Sequence, residues 1–262
     1  IMKGGFCQFD VSYKNVEANL NKVKELLSRA EADLIVLPEL CFSGYYFQTK
    51  EELNKYSDVT IQSMIINELH KIAKSKNMFI VTGLAEKDED KIYNAAFLIG
   101  PEGLIGKHRK VNLTINEKVF DRGKDFAIFE IEHSEFGKVK IGILICFESW
   151  FPESYRILIK KGAQIICCPS NFGGPWTLDV MKVRSLENKV FTIMTNRTGK
   201  EMIENEEAEF RGESQIIDEG GNVLAKAKND ECIITFDIDP NKAVLKDNII
   251  KFRPFIEYDD TT

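Results

Sequence analysis

The chain has 262 residues, 44% of them hydrophobic and 29% charged, with a formal net charge of −6. That length buries a substantial core at the upper edge of what one domain holds, so residues 2–262 are expected to form a single domain. The acidic balance argues against a nucleic-acid or anionic-membrane partner, because phosphate binding draws on clustered Lys and Arg.

The longest apolar runs, such as Ile141 to Phe147, fall far short of the roughly 20 residues a membrane helix needs. With no charged-then-apolar leader in view, the expectation is a soluble, unexported, cytoplasmic protein, and Ile1 ahead of Met2 is set aside as a remnant of processing. Six cysteines with no Cys-x-x-Cys spacing make neither a disulfide framework nor a zinc site; they read as reduced thiols. Lys107-His108-Arg109-Lys110 is the nearest thing to a basic patch and, taken alone, reads as a solvated turn.

The first sixty residues alternate strand and helix. Gly5 to Phe9 is a short apolar strand, Val16, Leu20, Val23, Leu27 and Ala30 mark one face of a helix, and Asp33 to Leu37 is the next strand. A helix follows from about Ile61 to Ser75, then strands at Met78 to Gly83 and Tyr93 to Ile99, with Pro101-Glu102-Gly103 as a hairpin turn. The middle predicts strands near Phe126 to Ile131 and Val139 to Ile145, a helix from Pro152 to Lys161 closed by Gly162, and a buried strand Gln164 to Cys168. A helix near Leu178 to Asn188 leads to the strand Val190 to Thr195, and two or three more strands surround the turn at Glu219 to Asn222. Residues about 232 to 238 carry the last clear strand. The stretch from about 248 to 262 is polar, aromatic and unperiodic, an expected arm at a subunit interface. The alternation argues for a layered α/β architecture with helices covering sheet faces.

Three reactive side chains sit where apolar strands stop. Ile35-Val36-Leu37-Pro38 closes on Glu39, and Ile141 to Ile145 closes on Cys146 before a turn into a helix. Lys110 lies beyond the strand that carries Gly106 and Lys107. In layered α/β folds ligands collect outside the carboxyl ends of strands. Each residue also has an ordinary reading, as a small buried hydrophobe, a helix cap and a surface charge. Together they form a chemical set: a thiol is nucleophilic once a base takes its proton, and the oxyanion that follows needs a fixed positive donor. Cys7, Cys167, Cys168 and Cys232 read as core, Cys41 lacks a presenting turn, and His70, His108 and His133 lack the context of a base. There is no His-Glu-x-x-His motif, phosphate loop or dinucleotide fingerprint.

The stretches around these residues resemble the nitrilase superfamily of carbon–nitrogen hydrolases. They are Leu37 to Leu40, Lys107 to Leu113 with Glu117 to Phe120, Cys146-Phe147-Glu148 with Trp150 to Glu153, Pro169-Ser170-Asn171, Arg184 to Asn188, Asn196 to Gly199, and Gly212 to Ser214. They run in the family's order from about residue 5 to residue 240. The resemblance implies a four-layer αββα sandwich and a Glu-Lys-Cys triad with no metal or organic cofactor. It makes Glu39 the general base, Lys110 the oxyanion stabiliser and Cys146 the nucleophile. It also places a second glutamate at Glu117, to orient the amide and Lys110, and a second oxyanion donor at the Phe147 backbone N–H.

The implied reaction is hydrolysis of a small amide to a carboxylate and ammonia through a cysteine thioester. Nitrile-cleaving branches tend to carry tryptophan straight after the cysteine, where this chain has Phe147. An N-carbamoyl amine or amino-acid amidohydrolase, nitrile hydrolysis, and a catalytically idle interaction module remain open. Tyr45, Trp150, Asn171 and Phe172 are candidate substrate contacts, although pocket lining and core or interface packing are equally good readings of the aromatics. Arg184 with Glu187 reads as a structural ion pair, Arg197 as structural, and a homodimer or higher homo-oligomer is the expected assembly.

Overall fold

A computed structural model describes residues 1–203 and 205–244, with β-sheets as the two central layers. The first sheet contains β1 (Met2–Gln8), β2 (Leu34–Val36), β3 (Phe79–Asp88), β4 (Lys91–Gly100), β5 (Gly103–Arg109) and β14 (Cys232–Ile238), in the order β14-β1-β2-β3-β4-β5. The second contains β6 (Ile128–His133), β7 (Gly137–Ile143), β8 (Ile165–Ser170), β9 (Phe191–Asn196), β12 (Gln215–Ile217) and β13 (Val223–Lys226), in the order β13-β12-β9-β8-β7-β6. In each sheet a parallel trio, β1-β2-β3 and β7-β8-β9, forms the centre, and antiparallel strands extend it to the edges.

The period of two along each strand sorts side chains between layers. Phe6, Leu34, Val36, Val81, Ala96 and Leu98 face the second sheet and meet Ile141, Ile143, Cys167 and Ile193 in one apolar core. The alternate residues Cys7, Ile35, Leu37, Ile80, Phe97 and Ile99 face outward, where α1 (Val16–Arg29) and α3 (Val59–Lys76) cover them with Val23, Leu27, Ile65 and Leu69. On the far side of the second sheet, α4 (Pro152–Lys160) brings Leu158 over Gly142 and Ile166. Alongside it, Ser185 of α5 (Trp176–Asn188) hydrogen-bonds Thr192 at 2.8 Å. The result is the expected αββα sandwich.

Most predicted elements stand where the periodicity put them, with ends shifted by a few residues. The strand expected to reach Ile145 leaves the sheet at Ile143, and Leu144 to Cys146 run on as the entry to a short 3-10 turn, Cys146–Trp150. The short helix α2 (Lys50–Asn54) and the hairpin of β10 (Lys200–Ile203) with β11 (Glu206–Glu209) were not foreseen. One buries only Leu53, and β11 of the other is rich in exposed glutamate, so neither carries an apolar period to read. The arm expected near residues 248–262 lies outside the described residues.

The basic patch is a correction. It is the end of β5, and the strand's alternation divides it: His108 and Lys110 turn inward and are buried, while Lys107 and Arg109 turn outward to share the Glu86 carboxylate. Gly83 is what lets the adjoining chain pass: a Cβ there would lie 2.7 Å from both the Glu39 Cα and the Leu40 nitrogen. Those are backbone atoms that cannot swing aside. Gly83→Ala is therefore expected to destabilise the fold by about 1–3 kcal/mol through overpacking, read as a lowered urea midpoint with an unchanged m-value.

Candidate active site

Glu39 and Cys146 both follow central parallel strands, β2 in one sheet and β7 in the other, so packing the sheets face to face brings their carboxyl ends together. Thr195 at the end of β9 donates to the Val36 carbonyl at 3.0 Å, tying the two sheets at this end. Lys110 follows β5, held by a backbone bond from its N–H to the Asn94 carbonyl of β4 at 2.8 Å. Behind it, the Gly123 N–H donates to the Lys110 carbonyl, an approach so close that a Cβ at Gly123 would stand 2.0 Å from the Arg109 oxygen.

The Lys110 side chain is fully buried and lies between two carboxylates, donating to Glu39 Oε1 at 2.6 Å and to Glu117 Oε1 and Oε2 at 2.9 and 3.0 Å. The Asn94 side-chain amide bridges the same two groups, 2.6 Å from Oε1 of each. Glu117 closes a 3-10 turn, Ile115–Glu117, and its Oε2 also accepts from the Thr114 N–H at 2.8 Å, which fixes its rotamer. Glu39 Oε2 is buried and has no hydrogen-bond partner among the described residues.

These contacts set the charges. Burial pushes the Glu39 carboxyl up, Lys110 opposes the push, Glu117 adds to it, and the group is raised to about 7. Burial works against the Lys110 ammonium, but Glu39 and Glu117 outweigh it and hold the lysine well above its ordinary range. The Cys146 thiol is pushed well above its usual value by burial first and by the Glu39 charge second, with Lys110 pulling the other way. The thiol therefore feels both groups. At neutral pH it is protonated and depends on a base.

Cys146 has φ +47°, in the left-handed region that a side chain other than glycine occupies at a cost of about 1–3 kcal/mol. Its backbone is held there by Glu148 two residues on, whose carboxylate accepts from the Ile145 N–H at 2.8 Å. The Sγ–H donates to the Asn171 carbonyl at 3.5 Å. The residue is 6% exposed, so the sulfur is nearly but not wholly enclosed.

Glu39, Lys110 and Glu117 are brought into direct contact, and Cys146 stands within electrostatic reach of the first two. Tyr45 is buried over the same cluster, with its hydroxyl 3.0 Å from the Thr114 hydroxyl. Asn171 donates through its side chain to the Glu39 carbonyl at 2.9 Å and accepts the Cys146 thiol on its own carbonyl, so it braces the Glu39 backbone and the Cys146 side chain. Phe172 is buried beside it and receives the Asn196 carboxamide on its backbone. Trp150 instead lies at the surface, 38% exposed, with its indole N–H on Thr177 at 3.3 Å. The Phe147 amide belongs to the turn that Cys146 opens. Arg184 pairs with Glu187 at 2.9 Å and also caps the Ser149 and Trp150 carbonyls, while the buried Arg197 pairs with Glu201 and stacks on Phe210.

Asn94 and Glu148 were missed as site residues. The available signal at Asn94 was a lone carboxamide in the apolar strand Tyr93 to Ile99, and at Glu148 a carboxylate within an apolar turn. Neither signal names a partner.

A model of the carbon–nitrogen hydrolase family matches residues 5–245. The chain is 36% identical over 236 residues to a protein named nitrilase from Pyrococcus abyssi, covering 88% of this chain and 87% of that one. It is 32% identical over 243 residues to the 2-oxoglutaramate amidase of Bacillus subtilis, covering 88% of each. Its fold matches Saccharomyces cerevisiae Nit3, a member of branch 10 of the nitrilase superfamily, with a TM-score of 0.80 at 25% identity over 93% of this chain and 92% of that one.

The class these matches define is that of enzymes hydrolysing carbon–nitrogen bonds. The chain belongs to the carbon–nitrogen hydrolase family of the nitrilase superfamily.

Removing the ammonium would strand two buried carboxylates against each other. Lys110→Met is expected to cost about 3–5 kcal/mol of stability, the range for breaking a buried ion pair by deleting one partner, measured by equilibrium urea unfolding.

Proposed function

We propose that this protein is an amidase that hydrolyses a small amide to a carboxylate and ammonia, with Cys146 as nucleophile, Glu39 as general base and Lys110 as oxyanion donor. The observation that carries the reading is the buried Oε2 of Glu39, which has no partner among the described residues: its twin oxygen is held by Lys110 and Asn94, which leaves one acceptor for the thiol proton.

In the first half-reaction the Cys146 proton passes to Glu39 as the sulfur adds to the amide carbonyl carbon. The carbonyl electron pair moves onto oxygen against the Lys110 ammonium and the Phe147 N–H. Glu117 holds Lys110 in place and accepts from the amide nitrogen. Collapse of the adduct breaks the carbon–nitrogen bond, the proton on Glu39 goes to the departing nitrogen, and ammonia leaves a thioester on Cys146. Water then gives a proton to Glu39 and adds to the thioester carbon; the thiol departs with that proton and the acid is released as its carboxylate.

A cavity of about 540 Å³, lined by Lys14, Tyr46, Phe47 and Glu52 and by Asn116 and Lys118 on either side of Glu117 in the chain, supports a small to medium acyl group. Tyr46 joins it to the buried cluster, since its ring lines the cavity and edge-packs on Tyr45 at 4.7 Å. Six unpaired cysteines fit a reducing compartment such as the cytoplasm. Among the described residues no helix is long and apolar enough to cross a membrane. Trp176, 68% exposed, and Trp150 on the adjoining turn support a face for self-association. The name of the archaeal relative favours nitriles as a second substrate class.

A panel of small amides, N-carbamoyl amino acids and nitriles, scored for ammonia and for acyl mass on the protein, tests the reading. Amides are expected to release ammonia and to leave a transient adduct on Cys146; ammonia from nitriles or carbamoyl compounds alone would move the assignment to those classes. Cys146→Ala is expected to abolish turnover and Lys110→Met to lower kcat by about 10²-fold or more in protein that remains folded.

The pH profile follows from Glu39. A base acts only when ionised, and a carboxyl raised to about 7 is ionised above that pH, so kcat/KM is expected to fall about tenfold per unit as pH drops below 7. A profile flat down to pH 5 would exclude Glu39 as the base.

A further inference from the structure

Lys110 and Cys146 come from different sheets, so something must fix the distance between the ammonium and the sulfur. The buried Glu148 carboxylate faces donors from both segments. Oε2 accepts from the Ile145 N–H at 2.8 Å and sits 2.8 Å from His108 Nε2; Oε1 accepts from the Val111 N–H at 2.6 Å and, more loosely, from the Asn112 N–H at 3.4 Å. Ile145 immediately precedes Cys146, and His108 and Val111 flank Lys110 on either side. One side chain therefore clasps the backbone of the nucleophile to the backbone of the ammonium.

We propose that Glu148, aimed by His108, is a positioning residue that sets the spacing between the Lys110 ammonium and the Cys146 sulfur in the amide hydrolysis proposed above. The chemistry of the clasp explains why it is a carboxylate. Every backbone group facing it is a donor, so both oxygens must accept, and His108 then carries its proton on Nε2. Burial works against the Glu148 charge, but His108 and the two backbone N–H groups outweigh it and keep the carboxyl below its ordinary range. The His108 ring stacks on Phe126, with centroids 5.5 Å apart and planes at 25°, which holds its Nε2 toward the carboxylate. A glutamine at 148 has the same shape but turns an NH₂ toward either the Val111 N–H or the Ile145 N–H and His108, so one side of the clasp opens.

The test measures kcat, KM and the rate at which iodoacetamide alkylates Cys146, followed by peptide mass, in Glu148→Gln, His108→Ala and His108→Gln, with the unfolding midpoint of each. In alkylation the thiol sulfur displaces iodide and the thiol proton leaves to Glu39, so the rate reports the site without a known substrate. Folded Glu148→Gln is expected to lose about 10–100-fold in kcat with KM within about threefold, since a misplacement near 1 Å costs on the order of 10²-fold. His108→Gln, which keeps an N–H donor, is expected to recover most of the kcat and alkylation rate lost in His108→Ala. Wild-type kcat and alkylation rate in folded Glu148→Gln would overturn the proposal. If that variant does not fold, the histidine pair decides, and equal losses in both histidine variants would overturn it. A wild-type protein that alkylates at Cys146 but hydrolyses no amide would sink the amidase reading alone, because the alkylation rates of the variants still judge the clasp.

Discussion

An ammonium enclosed between two carboxylates, with no exposed atom among the three side chains, is the constraint on which the site depends. Removing such groups from water is costly, and the cost is offset only if each charge finds close, well-directed partners. Lys110 has Glu39 on one side and Glu117 on the other, and Asn94 donates to both acids, so the cluster holds together as a unit. One positive charge cannot fully neutralise two negative ones. The imbalance falls on Glu39, which lacks the backbone donor that Glu117 receives from Thr114 and is raised toward neutrality. A carboxyl poised near neutral pH with a free oxygen is the form a general base takes in the proposed reaction.

The same enclosure acts on the thiol. Burial without a directly bonded cation pushes Cys146 up rather than down, which sets it apart from cysteines held as thiolates by a neighbouring positive charge. The proposed mechanism accordingly moves the proton in step with attack. The left-handed backbone at Cys146 and the bond from its sulfur to the Asn171 carbonyl keep the thiol at the junction of the two sheets, where the other groups converge.

Around this centre the two sheets act as a jig. Parallel strands in each end at the same rim, and bracing bonds cross between them: Thr195 to Val36, Asn171 to Glu39, and Glu148 to the segment of Lys110. Glycines stand where backbones must nearly touch, at Gly83 behind Glu39 and at Gly123 behind Lys110. Side chains this far apart in the chain can be held in contact only because the apolar sandwich between them leaves the sheets little freedom to slide.

Periodicity by itself determined the alternating strands and helices, because a period near two or near 3.6 is written locally by which face meets the core. It also put Glu39, Lys110 and Cys146 at or just beyond strand ends, and resemblance added their roles and Glu117. Only the tertiary structure decided what touches what. Asn94, Glu148 and His108 carry no local sign of their partners, since a bridging amide or a buried clasp is defined by groups 23 to 55 residues away. The basic patch shows the same limit: four consecutive polar residues look solvated along the chain, yet the alternation of β5 buries two of them, and which face lies inside depends on the second sheet. Hydrophobic pattern is a property of neighbours in sequence, whereas buried charge is set by the pairing of distant segments.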